Sequence, residues 1–475
     1  MIDAPDIFIF NTLSKRKEAL VTAESDRVTL YVCGPTVYNY SHLGNARPAV
    51  VFDLLVNLLK TRYSEVAYAR NFTDIDDKIN HAAAAEGSSI DTVATRFINA
   101  YHRDMDALGV ARPQWEPRVT HHIPQIIALI ARLLKKGHAY SHKGHVLFSI
   151  ASYPEYGLLS GRNMNSVSAT VLNDPAPYKR HPLDFVLWKP STDDQPGWDS
   201  PWGVGRPGWH VECSAMVGSL FGSTIDIHGG GQDLIFPHHE NELAQSTCAY
   251  DGQLYCKYWM HNSFVTVENA KMSKSVGNVV LVKDLLTDSS GAAVRFALLM
   301  SHYRSPLNWT AARLEESERT IERWQRLIKT SGCLPEVGTH GTQPDSVFLA
   351  ALRDDLNTPG AIARLHECFR ELATSRSTTG RKGIASKILA SARMLGLFQH
   401  HQGTADTFEN TIKPSSVKWI EVRIEQRNIA RKAGNFELAD IIRSELLARH
   451  VRLDDTRSGT TWEAIAQPSA NREVV

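Results

Sequence analysis

The most constraining feature of this chain is a strand, a sharp break and a long helix in immediate succession near its N-terminus. Arg27–Cys33 (RVTLYVC) is a short run of apolar and β-branched residues, and Gly34-Pro35 ends it. Val50, Leu54, Leu58 and Leu59 then share one face of a helix expected over about 42–63, and a second strand-like run spans Val66–Phe72. This strand–loop–helix–strand order predicts an α/β fold with a doubly wound, Rossmann-type parallel sheet. Such sheets bind ligands beyond the C-terminal ends of their strands, which directs attention to the loop after Cys33.

The rest of the chain is read on the same terms. Helices are expected around 74–109 and 121–136, with a hairpin over His138–Ile150 turning at Lys143-Gly144. Residues 151–182 are rich in Gly, Asn, Ser and Pro, lack periodicity and are expected to be mobile. Phe185–Trp188 is strand-like; a helix over about 209–221, a strand over 224–228 and a helix over about 239–250 resume the α/β pattern. From about 285 onward the chain is expected to be almost wholly helical, with a polar break at 401–416. The resulting organisation is a nucleotide-binding domain split between 1–120 and 200–258, an inserted segment 121–199, a linking domain 259–315, a helical bundle 316–405 and a small C-terminal domain 410–475.

Composition excludes several classes of function. Hydrophobic residues at 43% and charged residues at 22% of 475 are enough for a large core, so wholesale disorder is excluded. Lys and Arg (52) nearly balance Asp and Glu (51), which argues against indiscriminate binding to polyanions but leaves room for a local basic face. No apolar run approaches ~18 residues, so no membrane span is expected. The opening Met-Ile-Asp-Ala-Pro-Asp lacks the basic and apolar regions of a signal peptide, and a soluble, cytoplasmic protein is expected. Six cysteines without a CxxC pair exclude a disulfide scaffold and a local zinc finger; a metal site gathered from distant segments stays open.

Two motifs carry phosphate chemistry. After the first strand comes PTVYNYSHLGN (35–45), where Gly44 allows close backbone approach and His42 can donate to a phosphate oxygen at a helix N-terminus. On its own this reads better as a helix-starting turn whose His is surface polar. Lys271-Met272-Ser273-Lys274-Ser275 is harder to dismiss, since a given pentapeptide arises by chance in roughly one chain in ten thousand of this length. Two lysines flanking a small hydroxyl residue suit the charge that develops on a departing pyrophosphate.

Candidate metal ligands lie in three separate segments: Cys33 at the end of the first strand, Cys213 in GWHVECS (208–214), and His238 and Glu242 in FPHHENE (236–242). With Pro237 in a first helical turn, His238 and Glu242 fall at i and i+4 on one face, a geometry His239 fits less well. Two thiolates, an imidazole and a carboxylate are plausible zinc ligands. Individually, Cys33 reads better as a small apolar strand end and Glu242 as a solvated helix charge, and spacing alone does not establish the site.

Together these stretches resemble the class I aminoacyl-tRNA synthetases, with His42-Leu43-Gly44-Asn45 in place of HIGH and the lysine run in place of KMSKS. Asn45 replaces the last histidine of the first motif and cannot carry its proton. YVCGPTVYNYSHLGNAR (31–47), NFTDIDDKI (71–79), GRPGWHVECSAM (205–216), IDIHGGGQDLIFPHHENELAQS (225–246) and DDLNTPGA (354–361) extend the resemblance to the cysteinyl-tRNA synthetase family over nearly the whole chain. The resemblance implies a cysteine–tRNA ligase that uses ATP with Mg²⁺, holds one Zn²⁺ per subunit on Cys33, Cys213, His238 and Glu242, and takes L-cysteine and tRNA(Cys) as substrates. Zinc distinguishes a substrate thiolate from the serine hydroxyl, which requires a five-coordinate complex or a yielding Glu242. His42, Asn45, Lys271 and Lys274 are implied to stabilise phosphate charge, with the lysines on a mobile loop that closes over ATP. His42, Gly44, Gly229, Gly230, Asp233 and Lys274 are implied to hold the nucleotide. Trp209 and Thr73 are expected to border the amino acid, and Asp74 and Asp76 to border the adenylate or cap the next helix.

The C-terminal segment carries Arg423, Arg427 and Arg431 at helical spacing, a stripe that suits phosphates but also fits a solvated face balanced by Glu421 and Glu425. RNIARKAGNFELADIIRSELL (427–447) and LDDTRSGTTW (453–462) resemble the family's anticodon-recognition domain, where Trp462 either stacks on a base or closes a small core. Two rivals stand beside this reading: a cysteine ligase of the same fold acting on a sugar amine, which needs no such C-terminal unit, and an inactive RNA-binding relative. A monomer is expected.

Overall fold

The computed structural model describes residues 6–163, 176–273, 276–331, 343–398, 417–432, 435–448, 451–456 and 459–464. An antiparallel hairpin of β1 (Phe8–Asn11) and β2 (Arg16–Ala19) precedes the predicted unit. β3 (Arg27–Val32) leads through α1 (Leu43–Leu59) to β4 (Glu65–Arg70), parallel and in register from Arg27↔Glu65 to Val32↔Arg70. α1 departs from the one-sided helix expected, because it is buried on almost every side. It packs on the sheet below and on helices Gly291–Leu299 and Thr378–Met394. Arg295 of the first of these forms a buried ion pair with Asp53 of α1 and donates to the carbonyls of Leu395 and Gly109.

The helix expected over 74–109 is two helices, α2 (Asp77–Glu86) and α3 (Ile90–Ala107). Gly87, at φ 61°, takes the left-handed conformation that ends α2, and the Ser89 side chain accepts from Thr92 N–H to start α3. α4 (Ile123–Lys135) follows. An antiparallel sheet of β5 (Ala139–His142), β6 (His145–Phe148), β7 (Phe185–Pro190) and β8 (Gly205–Pro207) is then inserted, and its first turn falls at Lys143-Gly144. Residues 164–175 of the expected mobile insertion lie outside the described residues.

α5 (Trp209–Phe221), β9 (Ile225–Gly231), α6 (Glu240–Ala249) and β10 (Cys256–Asn262) return the chain to the parallel sheet, whose order is β10-β9-β3-β4. The chain moves outward from β3 to β4 on one side and re-enters on the other as β9. The C-terminal ends of β3 and β9 therefore flank the switch point at which doubly wound sheets bind ligands. β11 (Val265–Val267), β12 (Ala270–Lys271) and β13 (Leu307–Trp309) form a small third sheet. β13 is one correction to the helical reading after residue 285.

Helices Ala311–Thr330, Ser346–Arg353, Thr358–Thr374 and Thr378–Met394 follow. By contacts the chain forms two compact units, residues 1–285 with 291–399 and residues 286–290 with 400–475. The second unit supplies another correction: after helices Val417–Lys432 and Phe436–Ala448 it ends in an antiparallel hairpin, Val451–Thr456 paired with Gly459–Ala464. Alternation along VRLDDT puts Leu453 inward, where it joins Ile424, Ile442 and Leu446 with Trp462 packed against them.

Candidate active site and metal centre

Cys33 follows β3 directly, and its N–H donates to the Gly229 carbonyl at 3.0 Å, which locks it to the end of β9. Cys213 sits in the second turn of α5. Gly208, the residue before α5, has no room for a side chain: a β-carbon there would lie 2.0 Å from the Val186 carbonyl oxygen. β7 and the start of α5 thus approach closely. His238 and Glu242 come from the α6 region, with a correction in detail. Pro237 is not in an α-helical first turn: Ile235–His239 form a wide, irregular turn in which Phe236 is extended, and α6 begins only at Glu240. His238 and Glu242 nevertheless meet, Nε2 to Oε1, at 3.1 Å.

The four donors converge. Cys33 Sγ lies 3.4 Å from Cys213 Sγ, 3.6 Å from His238 Nε2 and 3.4 Å from Glu242 Oε1. A tetrahedral zinc at ordinary bond lengths sets its sulfurs roughly 3.8 Å apart and the mixed pairs roughly 3.3–3.6 Å apart. The donor set fits that ion in both chemistry and spacing.

Sequence reasoning missed His228 and set His239 aside as a poorer fit than His238, yet both join this cluster. His228 Nε2 lies 3.6 Å from Cys33 Sγ and 3.5 Å from Glu242 Oε1, and His239 Nε2 lies 3.3 Å from Cys33 Sγ. Cys33, His228, His239 and Glu242 thus form a second, overlapping donor set. His239 Nδ1 is bonded to His261 Nε2 at 2.7 Å, and His261 Nδ1 to Thr12 Oγ1 at 2.8 Å. Tyr255 donates to Glu242 Oε2 at 2.9 Å, so one carboxylate oxygen faces the cluster and the other is fixed from behind. The available signal was a histidine inside the apolar strand IDIHGGG and two adjacent histidines before a helix; neither names a partner.

Electrostatics follow from burial. Desolvation pushes the Cys33 thiol well above its ordinary value, with the Cys213 sulfur adding to it, while the hydrogen bond from Cys33 brings Cys213 down to about 6. Burial opposes the His238 cation, but Glu242 and Cys213 outweigh it and lift it to about 10. Burial likewise opposes the Glu242 carboxylate, and His228 and His238 hold it well below the usual range. Desolvation, with the His238 charge beside it, pulls the half-buried His210 down to about 3. Cys213 and Glu242 are thereby held toward their charged forms, with His238 as the cation beside them.

Trp209 is half exposed, and its ring stacks on His238 at 4.4 Å between centroids. Thr73 is buried and donates to Glu212 at 3.4 Å, and its backbone pairs with Val37 and Pro35. Asp76 caps α2 through Lys78 N–H, and Asp74 accepts from the backbone and hydroxyl of Thr120, so both have helix-starting or loop-fixing roles. Gly229 admits no side chain because the Phe52 ring would lie 2.3 Å from its β-carbon, and at Gly230 the nearest obstacle is Leu234, with His239 beside it. These close approaches are to the chain's own side chains. Asp233 sits in a short turn after β9.

His42 precedes α1 and Asn45 lies in its first turn, its Oδ1 accepting from His42 N–H at 3.2 Å. Lys271 ends β12, and Met272 reaches Gly44: a β-carbon at 44 would come 3.3 Å from Met272 Cε. The two phosphate motifs are therefore in contact. Lys274 and Ser275 lie outside the described residues.

In the C-terminal unit the arginine stripe is not a free face. Arg427 is buried and pairs in bidentate fashion with Asp455 at 2.9 and 2.6 Å, and Arg431 reaches the same carboxylate at 2.8 Å. The balancing charge is Asp455 on the hairpin, a long-range partner that helix spacing cannot reveal.

Residues 19–319 match the family model of the class I (C) tRNA synthetase catalytic domain, and residues 347–399 match that of the DALR domain. Cysteine--tRNA ligases from Parvibaculum lavamentivorans and Xanthomonas campestris are each 47% identical over 96% of this chain, covering 97% and 98% of the respective relatives. That from Acidiphilium cryptum is 48% identical over 96% of this chain and 99% of the relative. The chain belongs to the cysteine–tRNA ligase family. Structural likeness agrees on the fold. Mycobacterium tuberculosis methionyl-tRNA synthetase bound by methionyl-adenylate superposes with a TM-score of 0.54 at 16% identity, over 78% of this chain and 90% of that one. The LeuRS–tRNA–LeuAMS complex of Agrobacterium radiobacter K84 gives 0.58 at 13% identity, over 78% and 84%. Among the described residues no helix is long and apolar enough to cross a membrane.

Proposed function

We propose that the chain activates L-cysteine with ATP and transfers it to tRNA(Cys), acting as a cytoplasmic monomer with one zinc ion. In the first step a cysteine carboxylate oxygen attacks the α-phosphorus of ATP, the α–β phosphoanhydride bond breaks, and pyrophosphate leaves. In the second, a hydroxyl of the terminal adenosine attacks the cysteinyl carbonyl and AMP leaves. Cys33, Cys213, His238 and Glu242 would hold the zinc, which supplies a soft Lewis acid that takes a thiolate far better than a hydroxyl. Cysteine and serine differ too little in size for packing to separate them strongly, so coordination is the stronger discriminator. The single observation that carries this reading is the convergence of these four donors beside the sheet's switch point.

Trp209 covers the His238 side of the centre, and Thr73 would border the amino acid, limiting water around it. His42 and Asn45 at the start of α1, with Lys271 and Lys274, place donors and positive charge against the phosphates, with Mg²⁺ accompanying ATP. Gly44, Gly229, Gly230 and Asp233 line the path for the nucleoside along the ends of α1 and β9. No general base is needed for the first step, because the cysteine carboxylate is already ionised at neutral pH. The C-terminal unit would read the tRNA, with Trp462 and Arg431 offering an aromatic face and a partly exposed cation. The sugar-amine rival is not favoured, since the tRNA ligases named above match 96% of this chain. Cysteine-dependent ATP–pyrophosphate exchange, followed by charging of tRNA(Cys), tests the reading; exchange driven equally by serine would reject the role given to the metal.

A further inference from the structure

The strand pair that carries Lys271 is fastened to α1 at both ends. On the entry side Arg47, just over one turn into α1, is completely buried and donates to four backbone carbonyls. Nη1 reaches Ser263 at 2.8 Å and Phe264 at 2.7 Å; Nη2 reaches His302 at 3.2 Å and Ser305 at 2.7 Å. Ser263 and Phe264 join β10 to β11, and residues 302–305 lead into β13, the parallel partner of β11. On the exit side Leu43 N–H donates to the Val280 carbonyl at 3.1 Å and Val282 N–H to the Ser41 carbonyl at 2.9 Å. Residues 280–282 therefore run beside the first residues of α1, and Lys271 lies between the two attachments.

The chemistry of the entry-side contact is informative. Among the described residues no carboxylate lies within ion-pair distance of Arg47, and its Nε has no partner. Burying a guanidinium without a counter-charge is costly, and a methionine would fill the space without that cost. What arginine alone provides is a planar fork whose two ends bond to two different segments at a fixed separation. Burial lowers its pKa to about 10, so it stays charged at neutral pH.

We propose that Arg47 is a positioning residue for adenylate formation: it fixes the separation between the N-terminus of α1, with His42 and Asn45, and the strand pair that presents Lys271. This rests on the activation reading above. Since the phosphate groups must be met from both sides at once, displacing one side by an ångström lowers the rate without altering the metal centre.

The test is Arg47→Lys, which keeps the charge and loses the fork. Turnover and KM are measured by ATP–pyrophosphate exchange, together with zinc content and hydrogen exchange over 41–47, 263–267 and 280–282. The exchange kcat should fall on the order of tenfold to a hundredfold, with cysteine KM and zinc content within about twofold of the parent. Amide exchange should quicken in 263–267 and 280–282 while β3 and β9 stay protected. An unchanged kcat in the folded variant overturns the proposal, as does equal loss of cysteine affinity and zinc. If the variant does not fold, the parent protein decides: residues 43–47 and 263–267 protected as one unit support the clamp, and rapid exchange at 263–267 alone overturns it. A parent protein without cysteine-dependent exchange would instead reject the activation reading itself.

Discussion

Tyr255→Phe removes one oxygen atom and nothing else from the wall of the candidate metal centre. The ring is 1% exposed and packs near His228 and Trp259, so phenylalanine keeps the packing. What is lost is the bond from the hydroxyl to Glu242 Oε2, at 2.9 Å. A hydrogen bond to a charged acceptor contributes about 1.5–3 kcal/mol, and its loss leaves that oxygen buried without this partner. Because Oε1 faces Cys33 and His238, freeing Oε2 lets the carboxylate rotate away from the donor cluster. The expected result is a metal affinity weaker by about 10–100-fold, the range for losing an outer partner of a ligand. Competition against a chromophoric zinc chelator at fixed pH measures it, and urea denaturation of the metal-free protein controls for general destabilisation. An affinity within about threefold of the parent would refute the claim that Tyr255 orients Glu242 as a ligand.

Three further outcomes are expected. Cys213→Ser should lose zinc and cysteine activation together, whereas His239→Ala should keep one zinc per chain; the reverse pattern in metal analysis would assign the ion to the overlapping set with His228. Lys274→Ala should slow adenylate formation in single-turnover measurements far more than it weakens cysteine binding, and equal losses would contradict a role confined to the transition state. Asp104 is buried, and desolvation raises its carboxyl to about 6 from an ordinary 3.8. The folded protein thus binds a proton there more tightly than the unfolded chain, so this group's destabilising effect grows from pH 4 to 6 and is complete above 6. Asp104→Asn should therefore stabilise the protein at pH 7–8, on the order of 1–2 kcal/mol after solvent screening, with the gain vanishing below about pH 4 in denaturation curves.

The parts of this molecule legible in the sequence are those set by local chemistry. RVTLYVC followed by Gly-Pro marks β3 and its end, and the alternation and turn residues of 139–148 mark the hairpin, because each signal lies within about ten consecutive residues. The break at Gly87 was not legible: a glycine within a helical pattern is tolerated, and only its left-handed backbone shows that it ends α2. The terminal hairpin was missed because Val451–Thr456 begins within a few residues of a helix and its alternation becomes meaningful only against Gly459–Ala464. The metal ligands were suggested by residue type, but their convergence depends on sheet order, since β9 returns beside β3 after about two hundred residues. For the same reason His228 and Tyr255 escaped notice. Arg427 shows the converse: helical spacing advertised a basic stripe, and a carboxylate from the following hairpin neutralises it.

The central claim is that a zinc ion held by two cysteines at the switch point reads the sulfur of the substrate. X-ray absorption at the zinc edge, on the purified protein before and after saturation with cysteine, tests it most directly. The account predicts a first shell with two sulfurs that gains a third when cysteine binds and stays unchanged with serine. A shell with the same sulfur count in all three states would contradict it.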